Sequence, residues 1–243
     1  MMLFPIILST VIISLISLIG IFFLFFKTKI LENIIFVLIA FAAGTMIGTS
    51  FFHLIPEAVE AIPILTVSLL LIGGFSFFFL LERLFYWRHC HEGTCKIHPV
   101  GYLNLIGDGI HNFLDGILIA ASYLVSLPLG IFTSIAIIAH EVPQELGDFG
   151  VLLKSGFSKQ KALSYNFLVA SISILGAFLG WLFLASSNMT LYLLPIIAGN
   201  FLYIATADLI PELHKEKSFL RTIQSFLAFV FGLAVMYGLL FLG

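Results

Sequence analysis

Two short strings place chemistry-bearing side chains in the middle of long apolar runs: His111-Asn112-Phe113-Leu114-Asp115 and His140-Glu141-Val142-Pro143-Gln144-Glu145. An ionisable group at bilayer depth costs roughly 2.5–3.5 kcal/mol on insertion scales. Asp115, Glu141 and Glu145, left charged and unpaired, would together cost on the order of 10 kcal/mol. No Lys or Arg lies inside either run, so an internal salt bridge cannot offset that cost. A bound cation can. Residues at i and i+4 share one helical face, so His111 pairs with Asp115 and His140 with Gln144. Two such faces opposed offer two imidazoles, a carboxylate and an amide oxygen, donors that suit first-row divalent ions such as Zn²⁺ and Fe²⁺. Asn112 and Glu141, one residue on, make a neighbouring oxygen-rich site that shares Asp115. Pro143 has no N–H for the carbonyl of Ala139, which leaves a free backbone oxygen beside His140. A polar cluster that merely glues helices is the competing reading. Two matched, acid-rich motifs without an internal cation favour metal.

The elements that must hold these strings are membrane-spanning helices. Hydrophobic residues make up 60% of the chain and charged residues 10%, and the mean hydropathy is +1.15. That composition belongs to an all-α polytopic membrane protein rather than a soluble domain. A span needs about 20 apolar residues, and eight segments fit, at about 3–26, 33–55, 63–85, 100–124, 129–153, 162–184, 191–211 and 219–242. They read as a single transmembrane domain over 1–243 with one larger loop at 86–99. The first segment lacks a basic n-region and a small-residue cleavage pattern, and reads as a retained helix. All 11 Lys and Arg follow segments 1, 3, 5 and 7: Lys27 and Lys29; Arg83, Arg88 and Lys96; Lys154, Lys159 and Lys161; Lys215, Lys217 and Arg221. By the positive-inside rule that side is cytoplasmic and both termini are outside, as expected of a multi-pass cell-membrane protein. Cys90 and Cys95 then sit in a cytoplasmic loop, where thiols stay reduced. No basic tract suggests nucleic acid.

Segments 2 and 7 carry related strings. Ala43-Gly44 opens a stretch that ends Leu54-Ile55-Pro56-Glu57, and Ala198-Gly199 opens one that ends Leu209-Ile210-Pro211-Glu212, with 12 positions from Gly to Pro in both. The two segments run in opposite directions, the mark of an inverted-topology transporter. Helices 1–3 and 6–8 are the expected repeats, around a central helix 4/5 pair. His111, Asn112 and Asp115 match His140, Glu141 and Gln144 at offsets 0, +1 and +4, which puts both donor sets near the midplane. Gly107, Gly109, Gly116 and Gly147 are expected to allow close helix approach.

These strings, His111-Asn112-Phe113-Leu114-Asp115-Gly116 and His140-Glu141-Val142-Pro143-Gln144-Glu145-Leu146-Gly147-Asp148, resemble the paired signature of the ZIP (Zrt/Irt-like) metal transporters. The resemblance covers essentially the whole chain, eight spans and a His-bearing loop included. It is nearest to the branch whose fifth helix reads His-Glu-x-Pro-His-Glu, with Gln144 in place of the second His. A neutral oxygen there loosens the expected preference for zinc. The resemblance implies a binuclear site: His111, Asp115, His140 and Gln144 with Met46 nearby, and a second position of Asn112, Glu141 and bridging Asp115. It further implies an elevator-like motion of helices 1, 4, 5 and 6 against 2, 3, 7 and 8, in a homodimer.

Secondary candidates lie around this centre. Met46, Thr49, Ser50 and His53 follow i, i+3, i+4, i+7 on helix 2. Met46 is as readily a packing residue, and His53 is either an entrance ligand or an interfacial histidine bonded to a neighbouring loop. Asp208, Glu212 and His214 close helix 7 near Glu145 and Asp148, as an exit path or a solvated helix end. Asn166 and Ser173 on helix 6 read as helix glue. His89, Cys90, His91, Cys95 and His98 form a weakly chelating loop or a plain polar linker. Asn188-Met189-Thr190 matches a glycosylation sequon. The functional expectation is a carrier bringing Zn²⁺, or Fe²⁺, Mn²⁺ or Cd²⁺, into the cytoplasm, and not an enzyme. An intramembrane zinc hydrolase with Glu141 as base is the alternative, although such proteases place His-Glu-x-x-His on one helix. A metal-stabilised receptor would leave the inverted repeat unexplained.

Overall fold

The computed structural model describes residues 2–24, 28–86, 99–185 and 189–241. The expected loop donors His89, Cys90, His91, Cys95 and His98, and Asn188 of the sequon, lie outside the described residues. Eight helical rods follow one another. α1 is Leu3–Ile16 continued by a 3₁₀ stretch, Ser17–Leu24. α2 is Thr28–Thr49, a π-turn over Ser50–Leu54, and Ile55–Ala61. α3 is Ile64–Tyr86, α4 Pro99–Val125 and α5 Leu127–Lys154. α6 comprises Lys159–Ala170 and Ile172–Leu184. α7 comprises Thr190–Tyr203, a π-turn over Ile204–Leu209, and Ile210–Leu213. α8 is Phe219–Leu239.

Six of these rods, α1–α3 and α6–α8, are long and apolar enough to cross a membrane. α4 and α5 fall short on composition because they carry the acids: Asp108 and Asp115 on one, Glu141, Glu145 and Asp148 on the other. The outward residues of α3 and α8, Leu65, Leu69 and Phe79 with Phe226, Leu227 and Phe231, are exposed and apolar, as lipid contact requires.

Local chemistry sets the starts and breaks. Ser126 caps α5 by accepting the N–H of Leu129 at 3.2 Å, with Pro128 beside it in the first turn. The turn into α6 passes through Gly156 at φ 95°, a left-handed conformation that suits glycine. Glu216 prepares the start of α8 by accepting the N–H groups of Ser218 and Lys217 and pairing with Arg221. Its carboxyl is held below the ordinary Glu range by the Ser218 N–H and by the Arg221 hydrogen bond. α1 and α6 are both interrupted at serines that bond back to a carbonyl of the preceding turn: Ser17 to Ser14 at 2.7 Å, and Ser171 to Phe167 at 2.7 Å.

The repeat is visible in the packing. A Cβ on Gly44 of α2 would lie 2.1 Å from the Phe229 carbonyl of α8, and one on Gly199 of α7 would lie 2.2 Å from the Leu71 carbonyl of α3. Exchanging α2 with α7 and α3 with α8 therefore turns one close pair into the other. Both π-turns also fall just before the matched Ile-Pro-Glu strings, since neither Pro56 nor Pro211 can continue the regular hydrogen-bond ladder. Gly116 meets the Ser173 carbonyl of α6 in the same way, at 2.0 Å from an added Cβ. Gly107 and Gly147 do not make the expected close approach: both have open space where a Cβ would stand.

Candidate metal centre

α4 and α5 pack face to face, and their polar stripes meet. His111 Nε2 lies 3.6 Å from Asp115 Oδ2, as i,i+4 spacing on α4 requires. Across the interface, His140 Nε2 lies 3.3 Å from Asp115 Oδ2 and 3.2 Å from His111 Nε2. Glu141 Oε1 lies 3.6 Å from both imidazole nitrogens. These four ligand atoms all fall within 4.8 Å of one another. Asp115, His140 and Glu141 are fully buried or nearly so, and His111 keeps 16% of its side chain exposed.

Two further details suit a cation. His140 Nδ1 lies 3.1 Å from the Ala136 carbonyl, so the proton belongs on Nδ1 and the lone pair of Nε2 faces the cluster. The Ala136 carbonyl lies one turn back along α5 from His140. Both carboxylate oxygens of Asp115 and of Glu141 are buried without a hydrogen-bond partner. Orphaned carboxylates in a dry interior are costly unless an ion or proton meets them.

A family model described as ZIP Zinc transporter matches residues 3–98 and 86–240. The chain belongs to the ZIP zinc transporter family. Zinc transporter ZIP13 of Pongo abelii is 36% identical over 217 residues, 82% of this chain and 65% of the relative. The ZIP13 homolog of Drosophila melanogaster is 31% identical over 268 residues, 82% of this chain and 76% of the relative. Zinc transporter ZIP10 of Mus musculus is 40% identical over 161 residues, 60% of this chain and 19% of the relative. The chain therefore spans less than two thirds of the Pongo abelii and Mus musculus relatives. ZIP proteins are transporters and not enzymes, which sets the intramembrane hydrolase aside.

In this ZIP chain Glu141, expected in the second position, joins the two histidines and Asp115. The Glu side chain has length enough to swing back toward His140. Gln144, expected among the donors to the same ion, donates its Nε2 to Asp108 Oδ1 at 3.4 Å, a bond that does not use its amide oxygen. Asn112 does likewise, at 2.8 Å. Asp108 carries no part of either motif. The signal that marks it is its spacing, four residues before Asn112 and seven before Asp115, which continues the polar stripe of α4. The stripe extends again to Asn104, whose Nδ2 donates to Asp148 Oδ1 at 3.0 Å.

The remaining candidates are placed more simply. Met46 is buried in the apolar core with Ala43, Ala198 and Phe201. His53 Nε2 is engaged by the Met236 carbonyl of α8 at 2.8 Å, and its ring lies tilted against that of Phe132 on α5, with centroids 4.4 Å apart. Glu145 is fully buried with both oxygens unpartnered, while its backbone carbonyl accepts from Asn166 at 3.2 Å. Ser173 bonds to the Ala170 carbonyl at 2.7 Å and approaches Ser14 of α1 at 3.2 Å, so both helix 6 candidates act as helix-to-helix ties. Asp208, Glu212 and His214 are exposed at the end of α7, with Glu212 paired to Lys215.

Proposed function

We propose that this chain carries Zn²⁺, or a similar divalent ion such as Fe²⁺, Mn²⁺ or Cd²⁺, across the membrane into the cytoplasm through the His111–Asp115–His140–Glu141 group. One observation carries the reading. Four donors about 2.0–2.1 Å from a zinc ion mark a tetrahedron with edges of about 3.3–3.4 Å. Five of the six edges of the group run from 3.2 to 3.6 Å, and the sixth, between Asp115 and Glu141, is within 4.8 Å. Such an arrangement needs little movement to close on an ion. Asp115 has a second free oxygen, and Asn112 Oδ1 is buried and unpartnered beside it in sequence, which supports a second ion bridged by Asp115.

The motion we propose is a slide of α1, α4, α5 and α6, which carry the ion, against α2, α3, α7 and α8. Five hydrogen bonds between helices each fall within one set or the other. Ser9 of α1 meets Tyr123 of α4 at 2.8 Å, Thr133 of α5 meets Ser122 of α4 at 3.0 Å, and Asn166 ties α6 to α5. In the other set Ser50 of α2 reaches the Ala198 carbonyl of α7 at 3.3 Å, and His53 reaches α8. Between the sets lie ring contacts, His53 on Phe132 and His140 against Phe201 at 6.2 Å. Ring and methyl contacts are non-directional, so one face can move over another without leaving a bond unmade.

The deciding measurement is uptake by the purified chain in sealed vesicles. Zn²⁺ is expected to accumulate inside, with Cd²⁺, Fe²⁺ and Mn²⁺ competing; vesicles that stay empty of metal would end the proposal. For orientation, single cysteines in the 27–33, 86–98, 154–161 and 214–220 segments are expected to react with an impermeant thiol reagent only from the cytoplasmic side. Labelling of any of the four from outside intact cells would overturn the proposed topology.

A further inference from the structure

We propose that Asp108 is a positioning residue that fixes which end of two neighbouring amides, Asn112 and Gln144, is turned toward the transported ion, and so sets metal preference. The inference rests on the transport site proposed above. An amide has two ends of nearly equal size and opposite polarity: its oxygen attracts a cation, and its NH₂ repels one. The terminal torsion of Asn or Gln is broad and roughly two-fold, so the end that meets the ion is decided by what holds the other end.

Here the holder is a carboxylate, which when ionised only accepts. Asp108 Oδ1 receives Asn112 Nδ2 at 2.8 Å and Gln144 Nε2 at 3.4 Å. Asn112 Nδ2 also reaches the Asp108 backbone carbonyl at 3.2 Å, which commits the nitrogen end of that amide twice. The oxygen end of Asn112 therefore faces away from Asp108, and it is buried without a partner. Asp115 continues the same stripe three residues on, on the side away from Asp108. Asp108 is itself buried, at 6% exposure. Take the carboxylate away, and either amide can turn its NH₂ to the ion.

Harder ions depend more on oxygen donors, whereas zinc is held well by the two imidazoles alone. The loss is therefore expected to fall more heavily on Mn²⁺ than on Zn²⁺. The test uses the chain of residues 1–243 in proteoliposomes, with initial rates of Zn²⁺ and Mn²⁺ uptake and with thermal unfolding in the absence of metal as a check on folding. Asp108→Asn replaces an acceptor-only group with an amide that can present either end, so the orientation is no longer enforced, and the apparent KM for Mn²⁺ is expected to rise by about 10–100-fold, the usual cost of removing a residue that orients a metal ligand. The KM for Zn²⁺ rises less, and the maximal rate changes less than either KM. The exchanged pair, Asp108→Asn with Asn112→Asp, keeps the same hydrogen bond with donor and acceptor reversed and leaves an oxygen on the outward end. It is expected to recover most of the lost Mn²⁺ affinity.

Equal losses for both metals, or an unchanged KM for both, would overturn the proposal, as would an exchanged pair no better than Asp108→Asn alone. If Asp108→Asn alone does not fold, the exchanged pair decides: a folded pair with parental metal preference supports the orientation, and a folded pair without uptake refutes it. His111→Ala in the same vesicles separates the two layers of argument. Uptake that survives it removes the site itself; uptake lost there but parental in Asp108→Asn removes only the role of Asp108.

Discussion

His111→Ala and Asp115→Ala are each expected to reduce zinc uptake to the level of protein-free vesicles. Losing a residue that merely orients a ligand typically costs about 10–100-fold in affinity, and losing the ligand itself exceeds that. Asp115 meets both imidazoles, its Oδ2 lying within 3.6 Å of each, and its Oδ1 is equally unpartnered. Its removal has a second consequence that a folding defect would not mimic. A lone carboxylate at this depth costs roughly 2.5–3.5 kcal/mol, so Asp115→Ala without metal is expected to unfold no earlier than the parent chain. Zinc at 100 times its Kd stabilises a protein by about 2.7 kcal/mol. The parent is expected to show that gain in thermal unfolding, and the variant to show none. Near-parental uptake in either variant would place the site elsewhere.

A cross-link between positions 53 and 132 is expected to stop uptake outright, and one between positions 9 and 123 to leave it running. The first pair joins α2 to α5, where the His53 and Phe132 rings are 4.4 Å apart. The second joins α1 to α4, whose Ser9 and Tyr123 hydroxyls already meet at 2.8 Å. Cysteines at these positions, in a chain with Cys90 and Cys95 replaced by serine, are to be joined by a short bifunctional thiol reagent with a reducible linker. Reductant is expected to restore uptake in the 53–132 variant, which separates the link from the substitutions. Continued uptake with 53–132 joined would mean that α5 does not travel past α2.

Much of this fold could be read from the chain because a bilayer allows so few ways to satisfy a backbone. Apolar length located α1, α3 and α8 to within a few residues, and the matched Gly-to-Pro strings pointed to the repeat without revealing the π-turns that α2 and α7 carry within them. The metal centre was legible in part. Spacing of i and i+4 places His111 with Asp115, and the geometry agrees. It could not place Glu141, since a face assigned from Cβ direction says little about where a long carboxylate arm ends. Nor could it choose Gln144's partner, which depends on Asp108, a residue of the opposing helix outside both motifs. His53 posed the same difficulty: the Met236 carbonyl that engages it lies 183 positions away in the chain.

The stripe from Asn104 to Asp115 divides α4 into unequal electrical halves. Eleven residue steps cover about 16 Å at 1.5 Å per residue, against a hydrocarbon thickness of about 30 Å. Gly116 to Val125 continues for about 15 Å more, with Ser122 and Tyr123 as its polar members, both already hydrogen-bonded. A membrane voltage falls mainly across the poorly polarisable layer, so most of the drop lies on the Val125 side of the centre. An ion that reaches His111 from that side has already crossed the greater part of the field. On the proposed path into the cytoplasm, a transmembrane potential is then expected to act on loading more than on release.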